Sequence, residues 1–282
     1  VRERVDELAD RTWSWWQQDQ RRLFDAAVNV CALGFRRPRS GRRVPAPGWT
    51  KVITGVLGIP DLHMSMLDMD GVVGDRADVN ANFRDEYYAL VPAVSDEAEG
   101  PRFVTSGLID PGRSLWGTRD VKFAKRVFRH PRVDLSRLEG RFSDWARRKL
   151  VPKVLVANQT GLVEAVADVD GTWIPGVPIS SITPRSEVGD PVRTVREIEA
   201  LLTSPAASAW CWHAGGGTGL SSTAVRITPA VLASIPWPAG DLGPAIDALA
   251  SGDVEACGAA VDEMFGLTGT TADELLAWWR EG

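Results

Sequence analysis

Lys153-Val154-Leu155-Val156-Ala157, Leu162-Val163-Glu164-Ala165-Val166-Ala167-Asp168 and Thr172-Trp173-Ile174-Pro175-Gly176-Val177-Pro178-Ile179-Ser180-Ser181-Ile182 are three consecutive runs of aliphatic and β-branched residues. Gln159-Thr160-Gly161 separates the first two, and Asp170-Gly171 separates the last two. Such runs suit strands, and Asp-Gly is a hairpin signal because both residues tolerate positive φ. The stretch therefore predicts a β-meander.

Downstream, Thr194-Val195-Arg196-Glu197 has the form of a capping box, so a helix is expected to open there. Ile198, Leu201 and Leu202 share its apolar face, and Ser204-Pro205 closes it. Short helices are expected after Pro236-Trp237-Pro238, the last opened by Thr271-Ala272-Asp273-Glu274. Upstream, residues 50–100 read as mostly helical, ending where Tyr87-Tyr88-Ala89-Leu90-Val91-Pro92 is forced extended by its proline. Residues 1–22 carry a three-to-four spacing in Val5, Leu8, Thr12, Trp15 and Trp16, which predicts a helix, and Leu23–Phe35 reads as a buried strand or hairpin arm. Arg36-Arg37-Pro38-Arg39-Ser40-Gly41-Arg42-Arg43 is the best linker. The predicted class is mixed α/β (α+β). The expected divisions are 1–43, 44–238 and a helical segment over 239–282.

The net charge of −5 speaks against a nucleic-acid partner, whose affinity comes largely from neutralised phosphates. The distribution speaks for one. Arg113 to Lys153 holds thirteen Arg or Lys against four Asp or Glu, a balance of +9, while Gly240 to the end holds one Arg against nine acids, a balance of −8. Such a run is either a set of solvated helix faces or an electropositive surface. Cys31, Cys211 and Cys257 are odd in number, widely spaced and without a CxxC, which points to reduced thiols rather than disulfides or zinc. The absence of a long apolar run and the charged start predict neither a membrane span nor a signal peptide, hence a cytoplasmic location.

Gly215-Gly216-Gly217-Thr218-Gly219-Leu220-Ser221-Ser222 could present N–H groups to a phosphate, but no Lys follows its glycines, so a tight turn is the better reading. Cys211 and His213 could face each other across one side of a strand as nucleophile and base, or be a buried structural pair. The three His residues lack metal-ligand spacing, and no metal is expected. Trp116, between Arg113 and Arg119, suits contact with DNA sugar, phosphate or an unstacked base, or anchors its loop on the core.

Phe24–Leu33 resembles the strand near the end of the catalytic domain in adenine-N6 DNA methyltransferases of the Taq type and the type IIG-like enzymes of actinobacterial restriction-modification systems. Phe83–Pro92, Val104–Arg113 and Leu150–Thr160 are similar to successive stretches of their recognition regions. So is the tail, from Gly219-Leu220-Ser221 through Arg226-Ile227-Thr228-Pro229 and Ile235-Pro236-Trp237-Pro238 to Met264-Phe265-Gly266-Leu267. The resemblance covers essentially the whole chain and implies a Taq-type specificity domain with flanking helices, behind a remnant of the catalytic domain. The F-x-G-x-G loop that binds S-adenosylmethionine and the N-P-P-Y/F motif are both missing, and there is no Pro-Pro dipeptide. The implied function is sequence-specific recognition of double-stranded DNA in a restriction-modification or phage-defence system. No cofactor is expected in this chain, and S-adenosylmethionine is implied for a catalytic partner.

On this reading Arg113, Arg119, Lys122, Lys149 and Lys153 contact phosphates. Asn80, Asn82, Arg84, Asn158 and Gln159 address base edges, because Asn and Gln pair bidentately with adenine and Arg with guanine. The alternative is an interaction subunit docking on a separate methyltransferase or nuclease through an apolar edge at Leu23–Phe35. A hydrolase using Cys211 and His213 is the third reading.

Overall fold

The computed structural model describes residues 8–16, 31–36, 49–62, 67–82, 84–219, 221 and 223–282. They form a mixed α and β structure around one antiparallel sheet in the spatial order Ala165–Asp168, Lys153–Ala157, Ile179–Pro184, Ala77–Ala81. Every residue of Lys153–Ala157 is buried, because both faces of the sheet are covered and a strand so placed carries no polar alternation. Val154, Val156, Ala165 and Ile182 face a helical layer that includes Pro191–Leu202, Pro205–Gly215, Gly243–Ala250, Val254–Met264 and Thr270–Glu281. Leu155, Val166 and Ile179 face a second core, shared with Phe103, Val104, Phe123, Phe128 and Ile174. The segment 239–282 contributes Leu242, Ala245, Cys257, Val261, Phe265 and Leu275 to the first core.

The predicted strands are present, but they do not form a meander. Lys153–Ala157 pairs with Ala165–Asp168 on one side and with Ile179–Pro184 on the other. The turn at Asp170-Gly171 forms as expected: Gly171 has φ +65°, and a Cβ there would lie 2.6 Å from the Val151 carbonyl carbon. The chain leaving that turn, Trp173–Pro175, instead runs parallel to Arg102–Val104 in a second four-stranded sheet. It returns through Gly176, whose N–H donates to the Val104 carbonyl at 2.7 Å.

Helix starts also differ. Pro191–Leu202 begins three residues before the expected Thr194, because Asp190 Oδ1 accepts from the N–H groups of Val192 (2.9 Å) and Arg193 (3.2 Å) with proline at the first position. Thr194 is buried in that first turn, and Glu197 is paired with Arg193 at 2.8 Å. Ser204 ends this helix and caps the next, accepting from Ala207 N–H at 3.1 Å. The last helix follows Gly269 with no side-chain cap, so Thr271–Glu274 is not a capping box. Asp10–Trp16 is a strand rather than a helix, paired antiparallel with Cys31–Arg36 through a bulge at Thr12. Within 50–100, helices Trp49–Val56 and Arg84–Leu90 flank the strands Met69–Val72 and Ala77–Ala81. The basic linker beyond Arg36 and most of the Leu23–Phe35 arm lie outside the described residues.

No helix among the described residues is long and apolar enough to cross a membrane.

Candidate nucleic-acid interface

The expected DNA residues fall into two groups, at one end of the central sheet and on the β-rich lobe. Asn80 is exposed on the edge strand, opposite Ser181. Asn82 is buried and donates its amide hydrogens to the carbonyls of Pro175 (3.2 Å) and Gly176 (3.1 Å), so it secures the crossover between sheets and offers no base contact. Arg84 opens helix Arg84–Leu90; its side chain is outside the described residues. Asn158 and Gln159 leave the end of the central strand that adjoins Asn82. Asn158 Oδ1 and Gln159 Nε2 are buried atoms without a hydrogen-bond partner. Asn80, Asn82, Asn158 and Gln159 are therefore neighbours in the fold; Asn80 is exposed, Asn158 and Gln159 are half-buried, and Asn82 is buried.

Lys153 is the clearest correction. Its side chain is 0% exposed and its ammonium is hydrogen-bonded to the Asp168 carboxylate and, at 3.2 Å, to the Val151 carbonyl. Burial pushes its pKa down and Asp168 pulls it up. Asp168 also accepts from the Thr172 and Trp173 N–H groups at 2.9 Å each, so this buried pair ties the start of the central strand to the Gly171 turn. It presents no charge to a phosphate. Lys149, half-buried, has its pKa lowered first by burial and then by Lys153, with Glu86 opposing.

Arg113 and Arg119 share Asp110, at 2.8 and 3.9 Å. Beside them Glu164 is pushed up to about 7 by burial and by the Asp110 charge, against the pull of Arg119. Trp116 is the anchor rather than an open stacking platform: its indole N–H donates to the Pro131 carbonyl at 2.8 Å. Arg102 and Arg132 lie over the ring at 4.6 and 5.1 Å, and His130 meets it edge-on at 5.3 Å. The cations that cover Trp116 are thus not its sequence neighbours.

Much of the +9 stretch is locally neutralised. Arg129 pairs with Asp120, Arg137 with Asp134, Arg147 with Asp144, and Arg141 reaches outside the stretch to Asp85 at 2.6 Å. Exposed pairs of this kind contribute about 0–1 kcal/mol, so a phosphate can displace them. Arg148 is exposed without a carboxylate ion pair among the described residues, and a denser set of such cations stands on the hairpin of Val121–Phe123 and Arg126–Phe128. Lys122, Lys125 and Arg126 are exposed there, and among the described residues none has a carboxylate partner. Phe123 anchors the hairpin from below, its ring 5.1 Å from Tyr87 and 4.7 Å from Phe103. Tyr87 belongs to helix Arg84–Leu90, which the Arg141–Asp85 pair joins to helix Arg141–Lys149. A groove of about 330 Å³ between these helices is lined by Asp85, Glu86, Arg141, Phe142, Trp145 and Arg148.

Lys122 is among the phosphate contacts expected from the sequence, whereas Lys125, Arg126 and Arg148, which are also exposed, are not. The turn of the hairpin is Ala124-Lys125, with φ +48° and +65°, and neither residue signals a tight turn. Only the short alternations on either side mark it.

The remaining chemical candidates dissolve. Cys211 and His213 sit on helix Pro205–Gly215 rather than on a strand, so two residues apart they point to opposite sides. Cys211 is fully buried, its thiol pushed up to about 12, and His213 Nε2 lies 2.8 Å from the Pro60 carbonyl. The glycine loop follows the C-terminus of that helix, where the dipole disfavours an anion. At Gly219 a Cβ would lie 1.8 Å from the Ala224 carbonyl oxygen, so close backbone approach explains that glycine. No protein-family model and no curated protein matches the chain.

Proposed function

We propose that this chain reads duplex DNA for an adenine-N6 methyltransferase, as its Taq-type target-recognition portion. The observation that carries the reading is the segregation of charge. Three exposed cations that have no carboxylate partner among the described residues stand on one hairpin of the β-rich lobe, while the acidic C-terminal helices belong to the other core. The order of the motifs quoted above supports it. S-adenosylmethionine belongs with the catalytic half, since no F-x-G-x-G loop for it occurs in this sequence.

The test is selection from a random-sequence duplex pool by the isolated chain. One short enriched sequence supports the reading; duplex retained without enrichment, or no retention, refutes it. A second reading, an interaction subunit, is favoured by one observation: Trp13, Trp15 and Phe35 stand exposed on a two-stranded sheet. It predicts duplex retention only when a methyltransferase or nuclease subunit is added.

A further inference from the structure

We propose that the hairpin Val121–Phe128 is a ribbon that enters the major groove, with Lys122 and Val127 toward the bases and Lys125 at a phosphate. The inference rests on the duplex-reading function proposed above. The register sets the two faces. Val127 is directly opposite Lys122, and both are exposed, whereas Val121, Phe123 and Phe128 point into the core. Val127, 65% exposed, is an apolar side chain held outward by a ribbon whose other face is fixed on Phe103 and Tyr87. An isolated exposed valine means little; one paired with a lysine on a protruding ribbon offers a methyl surface and a donor together.

The turn adds an independent observation. A two-residue loop that matches strand twist needs positive φ at both positions, where Asn-Gly is comfortable. Here Ala124 (φ +48°) and Lys125 (φ +65°) occupy them, a backbone that L side chains rarely adopt. A lysine kept at the tip in spite of that strain is explained by what it contacts. Arg126 lies over Phe128 at 4.9 Å, so its guanidinium remains at the root of the tip.

Groove dimensions choose between the two sides of the duplex. The major groove, about 12 Å wide, admits a two-stranded ribbon, and the minor groove, about 6 Å wide, does not. Within the major groove an apolar side chain meets the thymine C5-methyl, and lysine meets guanine O6 and N7. The hairpin is therefore suited to a site containing thymine and guanine in adjacent steps.

The experiment uses the full chain and the duplex it selects, made with thymine or with uracil, which lacks the C5-methyl. Burying one methyl is worth about fourfold in affinity, so the wild type should bind the thymine duplex about fourfold more tightly. Val127→Ala should lose most of that preference. Ala124→Asn/Lys125→Gly, which relaxes the turn and removes the tip charge, should melt no lower than the wild type, bind more weakly and flatten the salt dependence by about one. Undiminished thymine preference in Val127→Ala, or unchanged affinity and salt slope in the turn variant, overturns the hairpin assignment while leaving duplex reading intact. Failure of the wild type to bind any duplex overturns both.

Discussion

Replacing Lys153 with Met leaves the Asp168 carboxylate buried at the start of the central strand with no cation and two N–H donors, those of Thr172 and Trp173 at 2.9 Å. Removing one partner of a buried pair costs about 3–5 kcal/mol, because the other charge stays desolvated. The two retained donors put this case near the lower end, about 3 kcal/mol. At roughly 2–4 °C per kcal/mol for a chain of this size, Tm should fall by about 6–12 °C. The double substitution Lys153→Met/Asp168→Asn removes the orphaned charge but keeps an acceptor for only one of the two N–H groups, which bond to different carboxylate oxygens, so it should recover part of the loss. Thermal unfolding followed by circular dichroism at pH 8 measures both effects. A single variant melting within about 2 °C of the wild type at pH 8 would refute the buried-pair account.

Three further outcomes follow from the core and the site. Asp262, 2% exposed, accepts from Ala206 N–H and is pushed up to about 7 by burial. Its contribution is present at low pH and lost as pH rises through about 7, by roughly 3–4 kcal/mol in all, so Asp262→Asn should raise Tm at pH 8 and leave it little changed at pH 4. Gly171→Ala adds a Cβ that lies 2.6 Å from the Val151 carbonyl carbon at a φ of +65°, and urea unfolding should show a loss of about 2–3 kcal/mol. Trp116→Phe keeps a ring beside Arg102 and Arg132 and removes one of the two donors to the Pro131 carbonyl, which still accepts from the Phe103 N–H at 2.8 Å; stability should fall by about 1 kcal/mol with duplex affinity unchanged, whereas a base-stacking role requires affinity to fall.

The central strand and its turn were legible because aliphatic runs and Asp170-Gly171 are local signals. Which strand pairs with which was not. Trp173–Pro175 joins a different sheet because Ile174 is buried in the second core, a tertiary outcome that hairpin chemistry does not encode. Lys153 read as a surface cation since nothing beside it in sequence is acidic; its partner is fifteen residues away. The start at Asp190 was obscured by Thr194 and Glu197, whose spacing imitates a capping box one turn later. The alternation Trp13-Ser14-Trp15 was masked by a coincident helical spacing, and the bulge at Thr12 shifts its register. At the proposed interface, sequence supplied the basic segment, but only the structure separates cations tied to local carboxylates from those on the hairpin.

The most direct test of the hairpin as the duplex-reading surface is the salt dependence of affinity for the selected duplex, measured by fluorescence anisotropy for the wild type and for Lys122→Ala/Lys125→Ala/Arg126→Ala. If the three hairpin cations displace counterions from phosphates or groove, the slope of log K against log[salt] should become less steep by about 2–3, with affinity falling more than tenfold at moderate salt. Identical slopes and affinities in the two proteins would contradict the account.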